Sequence, residues 1–142
     1  MITFTITTCK RLDCFLRTMD SLDKLSDFNL VSRKILIDDC STDSDRQRME
    51  QVCGPDFEFV WRDEPGHDKS LRDLLSRIDS EYWLHWEDDR PMHHEEPAIS
   101  MSLDIFEHCP VISSVAFQNF RSLRSMSFSK SCCLFFLCIR RY

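Results

Sequence analysis

Residues 82–90 read YWLHWEDDR, a run of aromatic and apolar side chains ending in three consecutive carboxylates, Glu87, Asp88 and Asp89. Adjacent like charges repel, and partial burial makes each one costlier. The pattern therefore calls for a positive partner, supplied by the protein or bound by it. Carboxylate oxygens are hard ligands suited to Mg²⁺ or Mn²⁺, ions that keep several waters and bridge substrate phosphates. The plainer alternative is a solvated strand end that caps the next loop. A second acidic pair, Asp38 and Asp39, stands before CSTD. Asp in that context forms turns and helix caps, which accounts for one of the two. The other is placed to accept hydrogen bonds from a base or ribose, as an acid at a strand end does in dinucleotide folds.

Other chemistries fit less well. His93-His94 followed by Glu95-Glu96 has no third ligand at a familiar zinc spacing. His85 alternates with Trp86 along an apolar run and reads as a packed core histidine. Ser and Cys lack a nucleophile elbow such as GxSxG, and Ser41 in CSTD reads as a cap. The only glycines are Gly54 and Gly66, so neither GxGxxG nor a Walker A loop is present.

Positioning the acidic groups takes strands and helices in alternation. Residues 2–8 (ITFTITT) alternate apolar with threonine, as a strand does. Phe15, Leu16, Met19, Leu22 and Leu25 then recur as a helical stripe. Residues 34–38 form a short apolar strand, and CSTDSD supplies cap chemistry for the next helix. Residues 57–61 alternate again. Asp68 suits the N-cap of a helix carrying Leu71, Leu74, Leu75 and Ile78. Residues 82–86 are a fourth strand, Pro97 suits the first turn of another helix, and residues 111–117 are a fifth strand. Such alternation implies βαβ units and an α/β three-layer sandwich around a mostly parallel, Rossmann-like sheet. Ligands of such sheets bind beyond the carboxyl ends of the strands, where Thr7 and Thr8, Asp38 and Asp39, and Glu87 to Asp89 all fall.

A chain of 142 residues suits one domain with a real core. Its net charge of −6 argues against a nucleic-acid partner. The balance is uneven, since all 24 acidic residues precede Cys109, whereas Arg121, Arg124, Lys130, Arg140 and Arg141 follow with no acid among them. The eight cysteines form no metal-site pattern. There is no signal-peptide pattern at the start, and the longest apolar run, residues 132–139 (CCLFFLCI), is too short for a transmembrane segment. A reducing, cytoplasmic location is the default reading.

Together, FTITTCKRLDCFLRTMDSL, ILIDDCSTDSD, GHDKSLRDLL and YWLHWEDD resemble the N-terminal half of a family 2 type glycosyltransferase with the A-type, nucleotide-sugar-binding fold, over residues 2–118. The resemblance implies that Thr7 and Thr8 lie against the nucleotide and that Asp39, beside Asp38, contacts the base. It makes Glu87, Asp88 and Asp89 a DxD-like motif, with Glu87 and Asp89 on a divalent metal (Mg or Mn) and Asp88 at the sugar diphosphate. The implied partners are a nucleotide-diphosphate sugar and a glycan, lipid or protein acceptor. The metal would neutralise charge on the leaving diphosphate.

Three departures accompany the resemblance. Arg72 stands where a small polar residue is usual, Arg90 follows the acidic motif, and no carboxylate follows Glu107. No catalytic base is therefore assigned. Residues 1–120 read as the donor-binding domain and residues 121–142 as an atypical basic, Ser/Cys-rich tail, as though the family pattern were truncated. A divergent closing strand within CCLFFLCI is the rival reading of that tail. The functional alternatives are a non-catalytic nucleotide-sugar or Mg-binding module and a receiver-like signalling domain.

Overall fold

Residues Ile2–Thr8 form strand β1, and all seven are buried. Alternation sends Phe4, Ile6 and Thr8 to one face of the sheet and Thr3, Thr5 and Thr7 to the other, so β1 is a central strand. The structure, a computed structural model, describes residues 1–109, 111–116 and 136–140. The further elements are helix α1 (Leu12–Ser21), strand β2 (Arg33–Asp39), helix α2 (Asp43–Cys53) and strand β3 (Phe57–Arg62). Helix α3 (His67–Arg77), strand β4 (Tyr82–Glu87), helix α4 (Ala98–His108) and strands β5 (Ser114–Ala116) and β6 (Phe136–Arg140) follow. Short 3₁₀ turns at Leu22–Lys24 and Phe28–Leu30 lead into β2.

The sheet order is β3-β2-β1-β4-β6-β5. β1 to β4 are mutually parallel, whereas β6 runs antiparallel to both β4 and β5. The expected α/β sandwich on a mostly parallel sheet is therefore present. A receiver-like domain, whose doubly wound order is 2-1-3-4-5, is not. Of residues 121–142, only 136–140 are described, and they supply β6, pairing Trp86 with Phe136 through to Tyr82 with Arg140. The rest of that segment, and residue 117 of the expected fifth strand, lie outside the described residues.

Two apolar clusters hold the layers together. Phe4, Ile6, Leu36, Leu84 and Trp86 of the sheet pack with Phe15 of α1, Met49 of α2 and Ile99 and Phe106 of α4. Ile35 and Ile37 pack on the opposite face with Leu74 of α3. Phe4 meets Phe28 and Phe57 edge to face, with ring centroids 5.0 and 6.2 Å away, a preferred aromatic geometry. None of the described helices is long and apolar enough to cross a membrane.

Helix starts depart from the sequence reading in three places. The N-cap position of α3 is Gly66 and Asp68 lies in the first turn, where its charge favours the helix dipole. Pro97 is the N-cap position of α4 and has no side-chain acceptor. The buried carboxylate of Asp27 does that work from far along the chain, accepting from the backbone N–H of Ile99 (3.4 Å) and Ser100 (2.6 Å). Thr42 within CSTDSD caps α2, accepting from Asp45 N at 3.2 Å, whereas Ser41, expected as the cap, bonds Asp38 and Lys10 instead. Gly54, at φ +70°, closes that helix in a conformation costly for other residues.

Asp27→Ala should lower stability by about 1–2 kcal/mol, read from urea midpoints, because two N–H groups lose their acceptor; an unchanged midpoint would remove the cap assignment. Deleting residues 120–142 takes away β6 and leaves the edge of β4 unpaired. A lower melting temperature and self-association on size exclusion are the expected results.

Candidate functional site

The order of the sheet reverses at β1, whose neighbours β2 and β4 are both parallel to it. The crevice beyond such a switch point is where α/β sheets hold ligands. The register places Thr8 beside Asp38, Thr7 beside Glu87 and Asp39 beside Arg62. All the candidate residues thus gather at one edge of the sheet, and Asp39 and Asp89 open on the same side.

Asp88 is fully buried. Thr8 Oγ1 donates to its Oδ2 at 2.7 Å, and Arg11 Nη2 donates to Oδ1. Its main chain is fixed as well, with its N–H on Thr7 O at 3.2 Å and its carbonyl accepting from Thr18 Oγ1 at 2.7 Å. Burial raises the Asp88 pKa against the opposing pull of the Thr8 hydrogen bond and the Arg11 charge. Burial works against the charged form of Arg11 too, yet Asp88 and Asp89 raise its pKa further. Arg11 Nη1 also reaches Asp89 Oδ2 at 2.9 Å, so one guanidinium bridges both carboxylates.

Glu87 and Asp89 are the accessible members of the run, with side chains 32% and 33% exposed. Arg90 Nε stands 3.4 Å from Glu87 Oε2 and 3.1 Å from Asp89 Oδ1. Asp89 Oδ1 is buried and receives no hydrogen bond. The positive partner implied by EDD is therefore present within the chain, as Arg11 and Arg90. Among the described residues no group of three or more His, Cys, Asp or Glu is arranged to hold a metal. The donor set fits a hard divalent cation only as a shared site, with two carboxylates completed by water and phosphate oxygens. His93 and His94 are exposed and join no such group.

Both acids of the β2 end are tied down. Asp38 is fully buried and accepts from Ser41 N (3.1 Å), Ser41 Oγ and Arg46 Nε (3.0 Å). It forms the turn expected of one member of the pair. Asp39 accepts from Ser70 Oγ at 2.6 Å and Gly66 N at 3.3 Å, with Arg62 Nε 3.1 Å away. The small polar residue of α3 facing the site is thus Ser70, not Arg72. Lys10 and Cys40, which follow the β1 and β2 ends, have φ of 54° and 66°, a region non-glycine residues rarely adopt. Lys10 N bonds Ser41 Oγ (3.0 Å), tying the loop after β1 to the loop after β2, and Cys40 N bonds Arg62 O (2.9 Å), tying the latter to the end of β3. Burial, then the charge of Asp39, pushes the Cys9 thiol up, which keeps it protonated and unsuited to attack.

Arg11, Arg46, Arg62, Ser70 and Gly66 were not legible as site residues. The available signal was the acidic excess itself, which requires nearby cations without naming them.

The sequence matches no protein-family model and no curated protein. Its structure is similar to that of a mannosyltransferase, PcManGT from Pyrobaculum calidifontis, solved with GDP-Man and Mn²⁺. The TM-score is 0.65 at 15% identity, over 81% of this chain and 34% of that one. Glucosyl-3-phosphoglycerate synthase from Mycobacterium tuberculosis, solved with Mn²⁺, UDP and glucosyl-3-phosphoglycerate, gives 0.61 at 18% identity, over 82% and 43% of the chains. The fold is that of the A-type glycosyltransferases. A 4-diphosphocytidyl-2C-methyl-D-erythritol synthase from Anaerococcus prevotii gives 0.57 at 17% identity, over 82% and 53% of the chains. This chain spans about a third to a half of the length of these proteins.

Behind the edge, His85 Nδ1 lies 2.9 Å from Thr5 Oγ1, which accepts from Trp83 Nε1 at 2.8 Å. Burial, with a smaller push from His67, lowers the His85 pKa from 6.5 to about 4. The unfolded chain therefore binds the proton more readily, and stability falls as pH drops from 6.5 towards 4. His85→Gln should narrow the pH 7 to pH 4.5 difference in unfolding free energy by about 2–3 kcal/mol, measured by urea titration; an equal pH slope in both proteins would show that His85 is not buried neutral.

Proposed function

We propose that the chain binds a nucleotide-diphosphate sugar across the carboxyl edge of β1, β2 and β4, and that it works in transfer of the sugar to an acceptor hydroxyl. The observation that carries this is the placement of Glu87 to Asp89 at the switch point of an A-type fold, beside Thr7 and Thr8, with Asp39 on the neighbouring strand. Thr7 and Asp39 would face the nucleoside, through the surface left by their own hydrogen bonds. Glu87 and Asp89 would hold Mg²⁺ or Mn²⁺ against the diphosphate, and Asp88, being buried, would set their position rather than touch the ligand. The bound ion would supply Lewis-acid stabilisation of the leaving diphosphate. Solved relatives in fold carry GDP-Man or UDP with Mn²⁺, which supports this choice of ligand.

The test is a thermal and calorimetric titration with UDP-sugars and GDP-sugars, each with Mn²⁺ and with EDTA. Donor at about 100 times its Kd should add about 2.7 kcal/mol to stability, and only with the metal. Asp89→Asn should lose the metal-dependent gain while remaining folded. A gain that survives in Asp89→Asn would take Asp89 out of the site, and no response to any nucleotide sugar would end the functional reading.

A further inference from the structure

Arg11 pairs with the carboxylate to which the proposed function assigns the metal. Its two terminal nitrogens are spent on Asp88 Oδ1 and Asp89 Oδ2, and its side chain is still 49% exposed. The bridge is made of two charge-assisted hydrogen bonds, which are stronger than neutral ones. It also covers an oxygen that a divalent ion at Asp89 would need. A cation at Asp89 and Arg11 thus compete for Oδ2, since the other oxygen, Oδ1, is buried, and two positive charges that close repel. Asp88 differs, because it is buried and keeps Thr8 as a second donor.

We propose that Arg11 is a built-in counter-cation for the acidic run, competing with the divalent ion for Asp89 and turning to the donor's diphosphate when the metal arrives. This rests on the reading of Glu87 and Asp89 as metal ligands. Most of the charge of the acidic run is thereby balanced within the chain, so three adjacent carboxylates are tolerated at a strand end. Half-exposed and anchored by the buried Asp88, the guanidinium has a short path: Nη1 leaves Asp89 while Nη2 stays on Asp88. It then presents free N–H donors beside the metal, where diphosphate oxygens would lie. Arg11 is in this account a positioning residue before binding and a phosphate ligand after it. The consequence is opposite signs for its removal: metal alone binds better and nucleotide diphosphate binds worse.

The experiment measures Mn²⁺ alone by electron paramagnetic resonance of the free ion, then UDP and GDP by calorimetry at saturating Mn²⁺, on wild type, Arg11→Gln and Arg11→Lys. Melting temperatures in EDTA confirm that each variant is folded, and Arg11→Lys, which keeps the charge but loses the fork, covers the case in which Arg11→Gln fails to fold. The expected result is at least a fivefold tighter Mn²⁺ Kd and at least a fivefold weaker nucleotide Kd in Arg11→Gln, with Arg11→Lys shifted the same way by less. A merely structural role predicts weaker or unchanged Mn²⁺ binding, and either result overturns the proposal. Absence of Mn²⁺ binding in every form would remove the metal reading and this inference together, whereas nucleotide binding in EDTA would leave nucleotide recognition standing without them.

Discussion

The burial of Asp88 is the constraint on which the site depends. A carboxylate with no exposed surface is tolerated only if its partners replace the water it has lost, and removing one partner of a buried pair costs about 3–5 kcal/mol. Thr8 at the end of β1, Arg11 at the entry to α1 and Thr18 on α1 all bond to this one residue. The end of β4 is therefore locked to the end of β1 and to the first helix. Glu87 and Asp89, on either side, inherit their positions from that lock. Shifting β4 by one residue would exchange the faces of every side chain on the strand and bury a charge without partners.

Charge balance at the edge follows from the same logic. Asp38 pairs with Arg46, Asp39 with Arg62, Asp88 and Asp89 with Arg11, and Glu87 and Asp89 with Arg90. Five carboxylates meet four guanidinium groups, which leaves the edge mildly acidic rather than strongly so. Arginine suits the role because its planar fork serves two acceptors at once and stays charged when partly buried. Arg46 also lies over the ring of Trp61, 5.4 Å from its centroid, and its Nη2 bonds Arg62 O, which holds β2, α2 and β3 in one arrangement.

The sequence by itself determined the alternation of strands and helices, because apolar periods of two and of 3.6 are local properties of the chain. It also determined that Thr7, Thr8, Asp38, Asp39 and Glu87 to Asp89 share one edge, since parallel strands put all their carboxyl ends together. That CSTDSD would cap a helix was legible for the same local reason, although the residue that does so is Thr42 and not Ser41. What only the tertiary structure decided were the partners across long separations. Asp27 caps α4, Ser70 reaches Asp39, and Arg11 reaches Asp88; nothing within a few residues of each announces the other. The ranking of the three acidic residues was hidden too, because burial is set by what packs above a strand end: Asp88 is inside while its neighbours are not. The strand Phe136–Arg140 belongs to this class as well. A closing strand within CCLFFLCI was one of two readings of that segment, and only pairing with β4 and β5 decided for it.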